Sequence, residues 1–319
     1  MRPLLKRLIL LAAATLVSAA AMGEPAAVSE AFVTNQNGDS LSIVSLADMK
    51  PLAEIAIGGK PAGIAMSPDG RRAFITSPES KELVVVDATA RTVAGRIRVG
   101  EAPLGVAAHP SNGRVYVADW YTHKISVVDP VAGKTIAEIA VGESPSGLAV
   151  TPDGKLLLSA DRDSDAVSII DTARNARNGT IAVGKRPFGI TIDGAGKMAY
   201  TANVASDDVT IIDIASGKVV ATVPVGHRPY AVALAGRHAF VTNQYASTVS
   251  VIDTHARKVV QTIDVGDHPE GIQADPDGAN VYVACWFDNV LVRINAAKLA
   301  VSGEAAVGDG PRAFGLFLR

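Results

Sequence analysis

The stretch VGKRPFGITIDGAGKMAYTANVASDDVTIIDIASGKVVATVPVG (Val183–Gly226) decides the fold. It begins and ends on one device: a glycine closing an apolar run, with a proline three residues later (Gly184 and Pro187, then Gly226 and Pro229). Between them lie four short runs rich in Val, Ile and Thr: PFGITI (Pro187–Ile192), AYTAN (Ala199–Asn203), VTIID (Val209–Asp213) and VVATVPV (Val219–Val225). Such runs favour strands, and the Gly and Asp residues separating them favour tight turns. No helical spacing of apolar residues appears.

The device recurs along the chain. Glycines 58, 100, 142, 184, 226, 266 and 308 each precede a proline by three residues, at intervals of 42, 42, 42, 42, 40 and 42. An aromatic or apolar residue follows most of these glycines by 16 positions, at Phe74, Tyr116, Leu158, Tyr200 and Tyr282. Thirteen further on stands Asp87, Asp129, Asp171, Asp213 or Asn295. In the short unit, Phe240 follows Gly226 by only 14, so its two missing residues fall in one hairpin, between Leu234 and Phe240. Strands about every ten residues in a period near 42 predict a β-propeller.

The ends set the blade count. Residues 30–57 supply three strands without a first one, and PRAFGLFLR (Pro311–Arg319) is a lone first strand. Joined, they complete a seventh blade. The fold expected is therefore all-β: a seven-bladed β-propeller of four-stranded antiparallel blades, closed by pairing of the N- and C-terminal strands. Closure removes the free sheet edges an open solenoid would leave.

Ahead of the propeller, residues 1–23 read as a cleaved secretory signal peptide. Arg2, Lys6 and Arg7 form a basic start, Leu8 to Val17 an apolar run, and small residues surround a cut after Ala21 or Gly23. The run is shorter than the roughly 20 residues a spanning helix needs. Residues 24–29 form a short leader. Export to a bacterial periplasm, no membrane span in the mature chain and a monomer are expected. Loss of the three basic residues takes the formal charge from -2 to -5. That balance argues against a strongly basic nucleic-acid-coating protein. One cysteine, Cys285, excludes an intrachain disulfide or a Cys-rich metal site, and a buried thiol is the expectation there.

FVTN (Phe32–Asn35 and again Phe240–Asn243), VSVID (Val249–Asp253) and the PDG turns at Asp69, Asp153 and Asp277 resemble the YVTN β-propeller repeat family, which includes YncE-like periplasmic proteins. The resemblance covers about residues 30–319 and implies a secreted seven-bladed propeller, often with no demonstrated reaction. Three loops depart from the consensus: YVADW (Tyr116–Trp120), LSADR (Leu158–Arg162) and YVACW (Tyr282–Trp286).

In a propeller the first strands line a central channel. The Gly-x-x-Pro loops and the loops between second and third strands then share one face, and the PDG and ASGK hairpins share the other. On the first face the sequence gathers Trp120, Tyr121, Phe188, Tyr230, Tyr245, Phe287 and Trp286, seven of the 15 aromatics. Six more (Phe32, Phe74, Tyr116, Tyr200, Phe240 and Tyr282) hold a repeated core position. Arg162, Arg186, Arg228, Arg312 and Lys60 make the same face basic, with Lys185, His227, His268 and Glu270 beside them. Aromatics on loops around a concavity mark recognition. The candidate ligand site is therefore a funnel of Trp120, Tyr121, Arg162, Arg186, Phe188, Arg228, Tyr230, Tyr245, His268, Glu270, Trp286 and Arg312. It suits an anionic or aromatic small molecule, or a partner protein with those features. The plain alternative is that the tryptophans cap blade ends and the arginines pair with Asp161, Asp163 and Glu270.

No catalytic residue is assigned, and neither a cofactor nor a metal is expected. The rival from another class is a metal-dependent lactonase- or lyase-like enzyme built on His227, His268 and Glu270. A third reading, not favoured, is single-stranded nucleic acid stacked on Trp120, Trp286 and Tyr230 with phosphates on Arg186 and Arg228. The series Asp87, Asp129, Asp171, Asp213 and Asp253 is read as turn-starting aspartates.

Overall fold

A computed structural model describes residues 29–319. The signal peptide and most of the leader fall outside that range. Seven sheets succeed one another along the chain, antiparallel throughout except where the last strand joins one of them. The blade containing the opening stretch has strands Pro187–Ile192, Met198–Asn203, Asp208–Asp213 and Lys218–Pro224, paired in chain order. Five other blades repeat this plan. The seventh has the three strands Glu30–Asn35, Ser40–Ser45 and Lys50–Ala56, against which the C-terminal segment lies by isolated bridges. The seven-bladed propeller expected from the repeat is the fold.

Three letters of the repeated Phe-Val-Thr-Asn motif have distinct physical tasks. The aromatic fills the space between blades: Phe32, Phe74, Tyr116, Tyr200, Phe240 and Tyr282 are all buried. Each contributes roughly 1.5–3 kcal/mol by leaving water. The threonine ties its blade to the next inner strand. Thr34 Oγ1 donates to the Ala62 carbonyl (2.9 Å), Thr76 Oγ1 to Leu104 (2.6 Å) and Thr242 Oγ1 to Glu270 (2.8 Å). The asparagine braces the following hairpin: Asn243 Nδ2 donates to Thr248 and Ser250, and its Oδ1 accepts the N–H of Gly226. Asn35 and Asn203 brace their hairpins the same way.

The inner strands approach so closely that side chains are excluded. A Cβ on Gly105 would stand 1.8 Å from the Ser146 carbonyl oxygen, and one on Gly147 would stand 2.5 Å from that of Phe188. At the outer rim every blade carries a register shift between its third and fourth strands, for instance between Val127 and Val128 or Ile211 and Ile212. These bulges twist an otherwise free edge and blunt it against pairing with other chains. The repeated aspartates start turns as expected. Asp87, Asp129, Asp171, Asp213 and Asp253 accept backbone N–H groups two or three residues ahead.

The ring closes between the termini. The N–H of Arg312 donates to Thr34, that of Phe32 to Phe317, and Glu30 and Arg319 exchange backbone bonds. Bridges at Ala31–Leu318 and Asn35–Pro311 are antiparallel. The structure adds a connection that the repeat alone does not imply. Phe314–Leu316 also runs parallel to Gly63–Met66, so the last strand bonds both neighbours.

Candidate functional site

The Gly-x-x-Pro loops are latched to one another by a rule of 21 residues. The loop residue between second and third strands lends a side-chain acceptor to the backbone N–H of the residue 21 positions on, at the entry of the next blade. Asp39 holds Lys60 (2.8 Å), His123 Nδ1 holds Ser144 (3.0 Å), Asp165 holds Arg186 (2.8 Å), Asp207 holds Arg228 (2.8 Å) and Asn289 holds Gly310 (3.0 Å). Both members sit in the left-handed region, with φ between 50 and 58° at Asp39, Lys60, His123, Ser144, Asp165, Arg186, Asp207 and Arg228. That conformation costs a residue other than glycine roughly 1–2 kcal/mol, and the cap offsets the cost. The side chains of Arg186 and Arg228 are thereby aimed from fixed backbone.

Two of the predicted aromatics are core. Phe188 is 7% exposed and Tyr230 3%. They stack on each other with ring centres 4.5 Å apart, and Phe314 lies 4.9 and 5.4 Å from them. With Leu104 and Ala62 they plug the channel beneath the loops. The expectation that both are loop aromatics at a concave funnel is corrected: the residue after each proline points into the throat, where the ring is narrow enough to be filled.

Arg312 and Glu270 belong to that plug. Arg312 Nε lies 3.2 Å from Glu270 Oε2 and donates to the Tyr230 hydroxyl at 2.8 Å. Its Nη1 donates to Gln36 (2.9 Å), and Gln244 Nε2 donates to Glu270 Oε1 (2.6 Å). Burial pushes the Glu270 carboxyl up, while Arg312, Gln244 and Tyr230 draw it down. Burial raises the Tyr230 phenol well above its usual range. Arg186 and Arg162 both meet Asp163, at 3.8 and 2.7 Å. Pairing of these arginines with Asp163 and Glu270 is thus seen, whereas Asp161 binds Ser159, Ser168 and the Gly142 N–H instead.

The departures YVADW and LSADR keep the structural task of the asparagine they replace. Asp119 accepts the N–H groups of Glu101, Ala102 and Tyr121 and the Thr122 hydroxyl. In YVACW, Cys285 is fully buried and its thiol is pushed up to about 12, chiefly by burial.

What remains on the loop face is an arc over the two neighbouring blades that carry Tyr245 and Phe287, with Tyr121 three blades from Tyr245. The aromatic side chains exposed among the described residues are Tyr121 (70%), Tyr245 (54%) and Phe287 (63%), all at the same loop position. The His268 ring sits between Tyr245 (5.3 Å) and Phe287 (4.9 Å), and His227 meets the Tyr245 edge at 5.5 Å. Arg228 covers the Tyr245 ring at 4.4 Å, a cation–π contact. Arg162 lies 5.2 Å from Trp120, and Arg312 lies 6.0 Å from the half-buried Trp286. Burial lowers the His268 imidazole, Asp267 raises it and Arg228 lowers it further. Among the described residues, neither Arg228 nor Lys185 has a carboxylate within ion-pair distance.

The enzyme alternative is not assembled. Glu270 is occupied below by Arg312 and Gln244, while His227 and His268 lie in the aromatic arc. No group of three or more His, Cys, Asp and Glu able to hold a metal occurs among the described residues. A cavity of about 470 Å³ does exist, but at the other end of the channel, among the PDG-type turns. Sequence alone does not reveal it, because small residues at Gly105, Ala107, Ala149 and Ala233 mark space only once the ring's diameter is known.

Residues 102–128, the three inner strands of one blade, match the NHL repeat. No curated protein matches the chain. Among solved structures, a chain of hydrazine synthase from Kuenenia stuttgartiensis is 25% identical, with a TM-score of 0.72 over 80% of this chain and 89% of that one. A functionally unknown protein from Desulfotomaculum acetoxidans is 16% identical, with a TM-score of 0.77 over 89% of this chain and 98% of that one.

Proposed function

We propose that the chain is an exported, YVTN-like binding or scaffold propeller. It engages an anionic or aromatic-bearing partner through the loop-face arc of Tyr245, His268, Phe287 and Arg228, extended by Tyr121, Trp120 and Arg162. The observation that carries this reading is the arc itself: Tyr245 and Phe287, exposed at one loop position of neighbouring blades, flank His268, and Tyr245 is covered by Arg228, which has no carboxylate within ion-pair distance among the described residues. Leaving rings in water costs free energy that a partner's surface recovers. The Asp207 latch at Arg228 and the backbone bonds of Tyr245 to His227 and Phe287 to Asp267 hold much of the arc's backbone in place, so little ordering entropy is lost on binding. The buried plug supports the arc and is not itself the contact surface.

The experiment compares the native chain with a Tyr245→Ala/Phe287→Ala/Arg228→Ala variant in cross-linked capture from the host's periplasmic extract. A discrete partner held by the native chain and lost by an equally stable variant is the expected result. Identical capture by both would overturn the reading. Titration with a single-stranded oligonucleotide discriminates the nucleic-acid rival, whose affinity would fall by orders of magnitude between roughly 50 and 200 mM salt. Sequencing the N-terminus of exported protein checks the leader, with a start after Ala21 or Gly23 expected.

A further inference from the structure

The cavity at the hairpin end of the channel lies on the face opposite the arc and is independent of the function proposed above. Its volume, about 470 Å³, falls within the roughly 300–1,000 Å³ of ordinary small-molecule sites. It is blind: Phe314 forms its inner end and is stacked on Phe188 and Tyr230, which close the throat. Met66, Val150, Ile192, Leu234 and Ala274 contribute apolar wall. At the mouth stands Leu316, 61% exposed, an apolar side chain that solvent alone does not favour.

The polar groups of the wall are mostly spoken for. Asp193 is the one ionisable lining residue, and its carboxylate accepts the N–H groups of Lys197 and Met198. Thr191 Oγ1 donates to the Val232 carbonyl (2.6 Å) and Thr151 Oγ1 to Asp153 (2.7 Å). Gln273 is different. It stands where other blades have Ala, Thr or Gly, and its Oε1 accepts the N–H groups of Phe317 and Leu318 at 2.5 and 2.9 Å. That fixes the amide and leaves its Nε2 as a donor with no acceptor among the described residues. An anionic ligand would lose hydration here and meet only the like charge of Asp193.

We propose that this cavity binds a neutral, largely hydrocarbon small molecule carrying one hydrogen-bond acceptor, which the Gln273 amide meets. The wall disfavours anions, because its one charge is the Asp193 carboxylate, and the blind end sets the length the ligand can have.

The probe is 6-propionyl-2-(dimethylamino)naphthalene, a neutral fluorophore with one ketone acceptor that brightens on leaving water. The native chain is expected to give saturable enhancement at one site per chain. Leu316→Glu puts a charge at the mouth on a side chain already in water. It should weaken binding about tenfold or more with unchanged melting. Ala149→Phe, which fills the cavity, should abolish binding. Tyr245→Ala/Phe287→Ala, on the opposite face, should bind as the native chain does. Absence of saturable enhancement, equal binding by Leu316→Glu, or loss of binding in the opposite-face variant would each overturn the proposal. The last result would place the probe on the arc instead, and none of the three bears on partner capture by that arc.

Discussion

Asp119 shows how one residue can look like chemistry and serve as structure. It stands in YVADW, beside Trp120, where a carboxylate in a departing loop invites a functional reading. Its environment is a socket of donors: three backbone N–H groups and the Thr122 hydroxyl. Burial pushes its carboxyl up, but these hydrogen bonds outweigh burial and hold it below the usual value of 3.8. A carboxyl whose folded value is depressed stabilises the protein above its unfolded value. That contribution is lost as the pH falls through the folded value. Asp119→Asn turns an amide N–H₂ toward donors, so at pH 7 it should cost about 1–3 kcal/mol. The gap between native and variant should narrow steadily as the pH drops below about 4, because the native carboxyl then protonates too. Melting temperatures of both proteins between about pH 7 and 3 measure this. A gap that stays constant across that range would mean that the charge of Asp119 is not what the socket reads.

At the scale of the strand, what was legible in the sequence was whatever repeats. Strand positions, the core aromatics Phe32 to Tyr282 and the turn aspartates recur with the period, and period is visible without coordinates. Distances across the ring are not. The throat swallows Phe188 and Tyr230 because the residue after each proline faces the axis, and only the ring's geometry shows how little room lies there. The same tightness explains why the inner strands are built on glycine, with Gly105 facing the Ser146 carbonyl. Gly105→Ala forces a methyl against backbone that cannot turn aside. The blades must separate locally, and overpacking of this kind costs roughly 1–3 kcal/mol. Gly133, in an outer hairpin, has nothing within 4 Å of where a Cβ would stand, but its φ of 66° marks strain of a different origin. Gly179 is the cleaner control, with open space and no left-handed backbone. Denaturant titration should show Gly105→Ala clearly less stable and Gly179→Ala close to native. Equal midpoints for the two would show that the inner strands have slack.

The whole molecule depends on a strand that arrives last. Residues 311–319 complete the blade begun by Glu30–Asn35, and they also run beside Gly63–Met66, so a single segment joins two blades. Its side chains are anchored as well. Phe317 is fully buried, Arg319 pairs with Glu30, and the Gln273 amide grips the backbone at Phe317 and Leu318. Phe314 is part of the plug that separates the loop-face arc from the hairpin-end cavity. Removing residues 311–319 therefore opens the ring, exposes a long unpaired edge and unseats the plug together. The truncated chain should lose cooperative melting or melt far below the native chain, and its exposed edge should make it prone to aggregate. A shorter deletion, of Arg319 alone, removes the Glu30 pair but leaves the plug, and should cost far less. Scanning calorimetry of the two deletions beside the native chain orders these contributions. If the nine-residue deletion melted like the native protein, closure by the terminal strand would not be what holds the two faces in register. The arc and the cavity would then owe their shapes to the blades alone.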